Sequence, residues 1–82
     1  MRGVRVVMYS RERCGLCDRA REVIQSERER TPFEFEEIDV EGDHALELAH
    51  GIRIPVVVID GEEAFELTVD PDLFAAAVRP PP

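Results

Sequence analysis

The chain has 82 residues, of which 44% are hydrophobic and 34% charged, and its formal net charge is −8. This length predicts a single domain over residues 1–82 with a modest core. The acidity argues against a nucleic-acid partner, no apolar run reaches the ~20 residues of a membrane span, and the N-terminal residues do not resemble a secretory signal. We therefore expect a cytoplasmic protein without a membrane partner, ending in a flexible tail over residues 79–82.

A strand and a helix are the first two predicted elements. Residues 4–9 carry β-branched side chains at both parities, which indicates a strand covered on both faces, as in a parallel sheet. Residues 16–28 carry apolar side chains at helical spacing, with charged residues on the other side. Thr31-Pro32 ends this helix, because the residue before a proline avoids helical geometry.

The only two cysteines, Cys14 and Cys17, lie where the predicted strand turns into the predicted helix. Residues three apart on a helix are neighbours, and a Cα separation of about 5–6 Å suits a disulfide. The free N–H groups of a helix start stabilise a thiolate. We therefore predict that Cys14, with Arg11 and Arg13 close in sequence, attacks a disulfide and that Cys17 resolves it. In a reducing cytosol such a pair indicates redox or metal chemistry rather than a permanent bridge.

A second strand and a short helix follow. Along the strand at 33–40 the apolar residues shift from odd-numbered to even-numbered positions. This shift indicates either a bulge or a strand that is covered on its second face. Asp43 is the predicted N-cap of the helix, and Gly51 is predicted to take a left-handed conformation just past its end. Three apolar side chains of this helix are predicted to face inward: Ala45, Leu48 and Ala49.

A hairpin and a closing helix complete the predicted elements. Residues 56–59 are an apolar run, and Asp60-Gly61 is a strong hairpin signal before a returning strand at 62–67. Asp70-Pro71 predicts the N-cap and first position of the last helix. Its predicted apolar stripe has four members: Leu73, Phe74, Ala77 and Val78. The order βαβαββα predicts an α/β fold with a mixed four-stranded sheet flanked by helices and a right-handed first crossover.

The chain resembles the thioredoxin superfamily, and within it the glutaredoxins, over nearly its whole length. The resemblance rests on a strand, a basic residue and Cys14-Gly15-Leu16-Cys17, with Arg11 where that family often has lysine. It rests also on Ile54-Pro55, where the family has its cis-proline before the third strand. The resemblance implies a thioredoxin-like fold and a thiol–disulfide oxidoreductase that serves electron transport and cell redox homeostasis. It further implies that the backbone of Ile54 pairs with an extended peptide or with glutathione.

The sequence departs from the glutaredoxin pattern where that family binds glutathione. Glutaredoxins have a Gly-Gly turn before the last helix, whereas this chain has Leu67-Thr68-Val69-Asp70, in which only Asp70 resembles the acidic end of the site. Arg53 replaces the threonine of the usual Thr-Val-Pro, and it either binds a substrate carboxylate or pairs with a surface acid. We predict weak glutathione binding. The candidate substrate-binding residues are Arg11, Arg13, Arg53, Ile54, Pro55 and Asp70.

The expected partners are protein or peptide disulfides, with glutathione or a thioredoxin-type reductase as the electron source. We expect a monomer with no permanently bound cofactor and no metal site, since a zinc site needs four ligands. His44 and His50 are the only histidines, lie too far apart to face one metal, and are predicted to be ordinary surface residues. The alternative function is a non-enzymatic thioredoxin-fold module that binds a partner or an iron–sulfur cluster, which needs four thiolates from two copies.

Overall fold

The computed structural model of the protein describes residues 3–79 and has the predicted order βαβαββα. The strands are β1 (Arg5–Ser10), β2 (Glu34–Asp39), β3 (Val56–Ile59) and β4 (Glu62–Glu66). The helices are α1 (Gly15–Arg28), α2 (His44–His50) and α3 (Pro71–Val78). None of the helices within residues 3–79 has the length and apolarity needed to cross a membrane. Of the tail predicted at 79–82, residues 80–82 lie outside the described residues, whereas Arg79 hydrogen-bonds to Glu27.

The four strands form one mixed sheet in the order β2-β1-β3-β4, which confirms the predicted α/β class. β1 is parallel to β2 and antiparallel to β3, and β3 is antiparallel to β4. The β1–β2 register runs without a bulge from Arg5–Glu34 to Ser10–Asp39. Phe35 and Ile38 of β2 are both half-buried. They point to opposite faces of the sheet because side chains alternate along a strand. The parity change in β2 therefore marks cover on its second face.

The core lies between one face of the sheet and helices α1 and α3. Phe74 is at its centre, with its ring centroid 5.7 Å from that of Phe33 and 6.2 Å from that of Phe65. The buried side chains that pack together are Val6, Met8, Ala20, Ile24, Phe33, Val57, Val69, Phe74 and Val78. Strands and helices of this length need such a shared layer to bury their apolar sides.

The predicted apolar stripe of α3 is wrong at two of its four positions. Phe74 and Val78 are buried, but Leu73 is 63% exposed and Ala77 is also exposed. Ala75 is buried instead, and it lines the cleft beside α1. Successive residues of a helix lie about 100° apart, so Leu73 and Ala75 fall on opposite sides of Phe74. α1 covers the side of Ala75 and leaves Leu73 in solvent.

α2 lies on the other face of the sheet, and the prediction of its inward face is wrong. Its three predicted inward residues are exposed, Leu48 to 76%. The half-buried residues are Leu46 and His50, four apart on one side of the helix. The His50 ring stacks on the Tyr9 ring of β1 with a centroid distance of 4.3 Å. This stack anchors the helix through His50, so His50 is not the ordinary surface residue that the sequence predicted.

Gly51, just past α2, has φ −52°, so the predicted left-handed conformation is also wrong. A side chain is nevertheless excluded at this position. A Cβ atom on Gly51 would lie 2.6 Å from the Glu47 carbonyl oxygen and 3.2 Å from the Arg11 guanidinium. Glycine therefore suits this position because the chain passes close to the end of α2, and not because the backbone takes an unusual φ.

Candidate active site

The two cysteines lie at the start of α1, immediately after β1. Arg13 takes a left-handed conformation with φ 57° and turns the chain from the strand toward the helix. Cys14 is the N-cap of α1, with extended backbone angles. Its Sγ accepts a hydrogen bond from the Cys17 N–H at 3.1 Å, and its carbonyl accepts the first helical bond from the Asp18 N–H at 3.0 Å. The cysteine thus occupies the position that serine or aspartate takes at most helix starts.

Cys14 and Cys17 differ in exposure although their sulfurs are bonded to each other. Their Cα atoms lie 5.2 Å apart, inside the range that a disulfide spans. Cys17 is completely buried and packs under the first turn of α1, whereas Cys14 is half-buried and reaches the surface. Cys14 is therefore accessible from solvent, whereas Cys17 is not.

An ion-pair network ties the start of α1 to the sheet beside the cysteines. Arg21 donates to Glu37 through Nε at 2.7 Å and to Asp18 at 2.9 Å. The Ser10 hydroxyl, at the end of β1, also donates to Glu37 at 2.7 Å. The hydrogen bonds from Arg21, and then from Ser10, hold the pKa of Glu37 below its usual range. Because Asp18 is held by Arg21, its charge is partly neutralised near the thiolate of the reduced protein.

The Ile54-Pro55 peptide bond is cis, as the resemblance implied. Tyr9 of β1 pairs with Val56 of β3 in an antiparallel register, so the loop before β3 emerges at the sheet end where β1 leads to Cys14. Pro55 is buried, and its carbonyl accepts a hydrogen bond from the Leu67 N–H at 2.9 Å. The end of β4 therefore fixes the loop that carries the cis-proline.

Arg11 and Arg53 both bind the C-terminal end of α2. Arg11 donates to Glu47 and to the Gly51 carbonyl, each at 3.3 Å. Arg53 donates to the Ala49 carbonyl at 2.8 Å. These arginines satisfy carbonyl groups that a helix end leaves free. They also place two positive charges at the negative end of the helix dipole.

Arg53 is further held by two acids of β4. It donates to Glu63 at 2.8 Å and to Glu66 at 3.1 Å. These hydrogen bonds raise the pKa of Arg53, and the bond from Arg53 holds the pKa of Glu63 below its usual range. Of the two roles that the sequence left open, the pairing with surface acids is present in the structure. Substrate binding by Arg11, Arg13 and Arg53 stays a prediction.

Asp70 is the N-cap of α3, as predicted, and its carboxylate accepts hydrogen bonds from Asp72 N–H at 2.9 Å and Leu73 N–H at 3.0 Å. The preceding segment contains an unexpected turn. Leu67 takes a left-handed conformation with φ 69°, although it has a side chain. The chain thus reverses here without the glycines that this position has in glutaredoxins. The role of Asp70 in binding a substrate stays a prediction.

A groove that the sequence did not indicate lies between α1 and the segment before α3. Its volume is about 160 Å³. The lining residues are Leu16, Arg19, Ala20, Val23, Leu67, Thr68 and Val69. Leu16 lies between the two cysteines in the sequence and lines this groove from the first turn of α1. The sequence predicts Leu16 on the apolar stripe of this helix, together with Cys17, Ala20, Val23 and Ile24, but Leu16 is 36% exposed, so the groove could not be anticipated.

The matching family model is that of the Glutaredoxin-like domain (DUF836), which covers residues 5–79. The chain belongs to this family. A comparison of this glutaredoxin-like domain with curated proteins finds no match. Within residues 3–79, no three side chains of His, Cys, Asp or Glu are grouped as metal ligands would be.

Three solved structures are similar to this glutaredoxin-like domain. The X-ray structure of target protein XcR50 from X. campestris is 32% identical, covers 87% of this chain and 91% of that one, and has a TM-score of 0.75. The solution NMR structure of protein Ne2328 from Nitrosomonas europaea is 25% identical, and the match covers 95% of this chain and 94% of that one with a TM-score of 0.81. A mutant thioredoxin from Halobacterium salinarum is 27% identical, and the match covers 99% of this chain and 80% of that one with a TM-score of 0.68.

These similarities confirm the thioredoxin-like fold that the resemblance implied. They also agree with the geometry of the cysteine pair. A glutaredoxin-like domain whose two cysteines are joined at the start of α1 has a redox function in general terms.

Proposed function

We propose that this glutaredoxin-like domain is a thiol–disulfide oxidoreductase that reduces disulfides of proteins or peptides. One observation carries the proposal. The half-buried Cys14 caps α1 and is bonded to the completely buried Cys17. One sulfur is thus accessible to a substrate, and the other is held within reach of the first.

In the proposed reaction, the Cys14 thiolate attacks one sulfur of a substrate disulfide. The Cys14–substrate bond forms, the substrate bond breaks, and the first substrate thiolate leaves with an electron pair. The Cys17 thiolate then attacks the Cys14 sulfur, the Cys14–Cys17 bond forms, and the second substrate thiolate leaves. The two cysteines have given up two electrons and the substrate has taken up two. The Cys17 N–H, 3.1 Å from the Cys14 sulfur, stabilises negative charge on that sulfur in the reduced protein.

The proposed substrate contact is an extended peptide along the loop that contains the cis-proline. Among residues 3–79, the backbone groups of Ile54 take part in no hydrogen bond. They are therefore open to pairing with a substrate strand, whose backbone bonds would not depend on its sequence. Pro55 fixes this edge in place, because it is buried and its carbonyl is bound by Leu67.

Glutathione is expected to be a poorer substrate than a peptide disulfide. Arg11 and Arg53 are engaged by Glu47, Glu63 and Glu66, so a glycyl carboxylate would have to displace an existing partner. The segment where glutaredoxins hold the γ-glutamyl end has bulky side chains here. Loss of two or three hydrogen bonds to charged groups, at roughly 1.5–3 kcal/mol each, weakens binding by more than tenfold.

Electrons reach the oxidised pair from glutathione or from a thioredoxin-type reductase, and no cofactor stays bound between turnovers. We place the protein in the cytoplasm as a monomer, where reduced thiols are maintained. Both electron sources deliver two electrons for each Cys14–Cys17 bond, through two glutathione molecules or one reduced protein dithiol.

The test compares turnover of a protein disulfide with that of a glutathione mixed disulfide at equal concentration, with dithiothreitol as the common reductant. We expect saturable reduction of the protein disulfide and slower turnover of the glutathione substrate. The Cys14→Ser variant is expected to be inactive, and Cys17→Ser to form a mixed disulfide and stop. Wild-type turnover no faster than that of Cys14→Ser would overturn the proposal. Repeating the assay with glutathione and with a thioredoxin-type reductase identifies the electron source.

A further inference from the structure

We propose that the groove beside the cysteine pair selects disulfides whose cysteine is flanked by an apolar side chain and then by a carboxylate. This inference rests on the proposed function and specifies its substrates. We define the selectivity groove as the cleft lined by Leu16, Arg19, Leu67 and Val69.

The apolar half of the selectivity groove fits one side chain of a substrate. Leu16 is 36% exposed and Leu67 is 43% exposed, so both present apolar surface to solvent. A cavity of roughly 150 Å³ lined by aliphatic residues accepts a molecule the size of benzene. The groove, at about 160 Å³, is therefore large enough for a leucine or phenylalanine side chain. Leu16, which lies between Cys14 and Cys17 in the sequence, is one of the residues that line this pocket.

The charged half of the selectivity groove is Arg19, whose side chain no other described residue holds. Among the described arginines, the side chains of Arg13 and Arg19 alone make neither a hydrogen bond nor an ion pair with other described residues. The others donate to acids or to carbonyl groups; they are Arg5, Arg11, Arg21, Arg28, Arg30, Arg53 and Arg79. Asp18, the acid nearest to Arg19 in sequence, is bound to Arg21. In the sequence Arg13 immediately precedes Cys14 and Arg19 lies two residues after Cys17, and of these two arginines Arg19 lines the groove.

Local charge decides this preference although the protein as a whole carries a formal net charge of −8. Physiological salt screens exposed charges beyond about 8 Å, so the charge that lines the groove, that of Arg19, acts most strongly on a bound peptide. An exposed ion pair of this kind contributes little, and we expect a preference of about twofold to fivefold for an acidic flank.

The test uses three symmetric peptides, each oxidised to its disulfide-linked dimer. Their sequences are Asp-Leu-Cys-Leu-Asp, Lys-Leu-Cys-Leu-Lys and Asp-Ser-Cys-Ser-Asp, and the readout is kcat/KM with dithiothreitol as reductant. For the wild-type protein we expect the first peptide to exceed the second by about twofold to fivefold. It should also exceed the third, because serine leaves the apolar pocket unfilled. The symmetric flanks make the result independent of the direction in which the peptide binds.

Arg19→Glu is the decisive variant, and Arg28→Glu is a control matched in charge, which also removes the hydrogen bond from Arg28 to the Phe33 carbonyl. Both residues are exposed on α1, and both changes lower the net charge by the same amount, but Arg28 lies at the far end of the helix. We expect Arg19→Glu to reverse the order of the acidic and basic peptides and Arg28→Glu to keep the wild-type order. A change of fold or stability would lower both rates together and could not reverse their ratio.

Two results overturn the inference and are distinguishable. If the wild-type protein reduces the peptides at equal rates, or if both variants change the ratio equally, the groove does not select its substrates and the proposed function stands. If the wild-type protein reduces no peptide faster than the Cys14→Ser variant does, the proposed function fails and the selectivity fails with it.

Discussion

At the scale of single residues, the unequal positions of the two cysteines determine the chemistry. Cys14 is an N-cap with an N–H group aimed at its sulfur, and Cys17 is enclosed by the core. A helix start favours the thiolate, and nucleophilic attack on a disulfide requires the thiolate. The N-cap position of Cys14 was predictable from Cys-x-x-Cys after a strand because it depends on local chain geometry, whereas the burial of Cys17 also depends on how α1 packs in the fold.

We expect the reduced protein to be alkylated first at Cys14 when iodoacetamide is limiting at neutral pH. The reason is that Cys14 is more accessible and its anion is stabilised by the start of α1. Peptide mapping by mass spectrometry identifies the labelled residue, and Cys17→Ser should show the same labelling rate at Cys14. Labelling of Cys17 before Cys14 would reverse the assignment of attacking and resolving thiols.

At the scale of secondary-structure elements, α2 shows why part of the structure was not predictable. Its seven residues carry apolar side chains on more than one side, so the sequence alone does not specify which side packs inward. The stack between His50 and Tyr9 decides this, and these residues are far apart in the sequence. β3 was predicted well because burial and local pattern agree there. In α1 the pattern predicts the burial of Ala20 and Ile24, but Leu16 is exposed and the charged Glu27 is buried.

The end of α2 gives a prediction about stability. Gly51→Ala should lower the free energy of unfolding by about 1–3 kcal/mol, because the new Cβ would lie 2.6 Å from the Glu47 carbonyl oxygen. Gly15→Ala is the control, since no atom lies within 4 Å of the Cβ it would add in α1. Urea denaturation measures both variants. Equal midpoints for Gly51→Ala and the wild type would show that the chain relaxes around the added methyl group.

The partners of surface arginines could not be predicted from the sequence. The chain has ten arginines and eighteen acids, so each arginine has many oppositely charged residues to choose from. The fold makes the choice by bringing Arg53 beside Glu63 and Glu66 and by leaving Arg19 alone at the selectivity groove. The sequence therefore named Arg11, Arg13 and Arg53 as candidates near the site, but it did not name Arg19 and could not say which arginines are free.

At the scale of the whole molecule, the buried carboxylate of Glu27 joins the ends of α1 and α3. It accepts hydrogen bonds from Thr31, from Arg79 at 3.0 Å and from Arg30 at 3.0 Å. These partners, Thr31 first, lower the pKa of Glu27 from 4.5 to about 2. A carboxyl group whose pKa is lower in the folded protein stabilises the fold above its unfolded pKa and ceases to do so as pH falls.

We expect Glu27→Gln to reduce the urea midpoint at pH 7 and to flatten the loss of stability as pH falls from about 4.5 to about 2. The variant should lack the stabilisation by the Glu27 carboxylate at every pH. Its plot of urea midpoint against pH should therefore approach that of the wild type at the acidic end. Glu22→Gln, an exposed change on the same helix, should leave the curve nearly unchanged. A constant difference between Glu27→Gln and wild type throughout this window would show that Glu27 is not the titrating group.

The most direct test of the proposed redox function is a thiol titration in dithiothreitol buffers of graded potential. Alkylation followed by intact-mass measurement reports how many thiols are free at each potential. We expect a single two-electron transition between two free thiols and none, with an oxidised monomer that is lighter by two hydrogens and carries its bond between Cys14 and Cys17. Two free thiols after equilibration with oxidised dithiothreitol, or a bond between two copies of the chain, would contradict a reversible redox pair at this site.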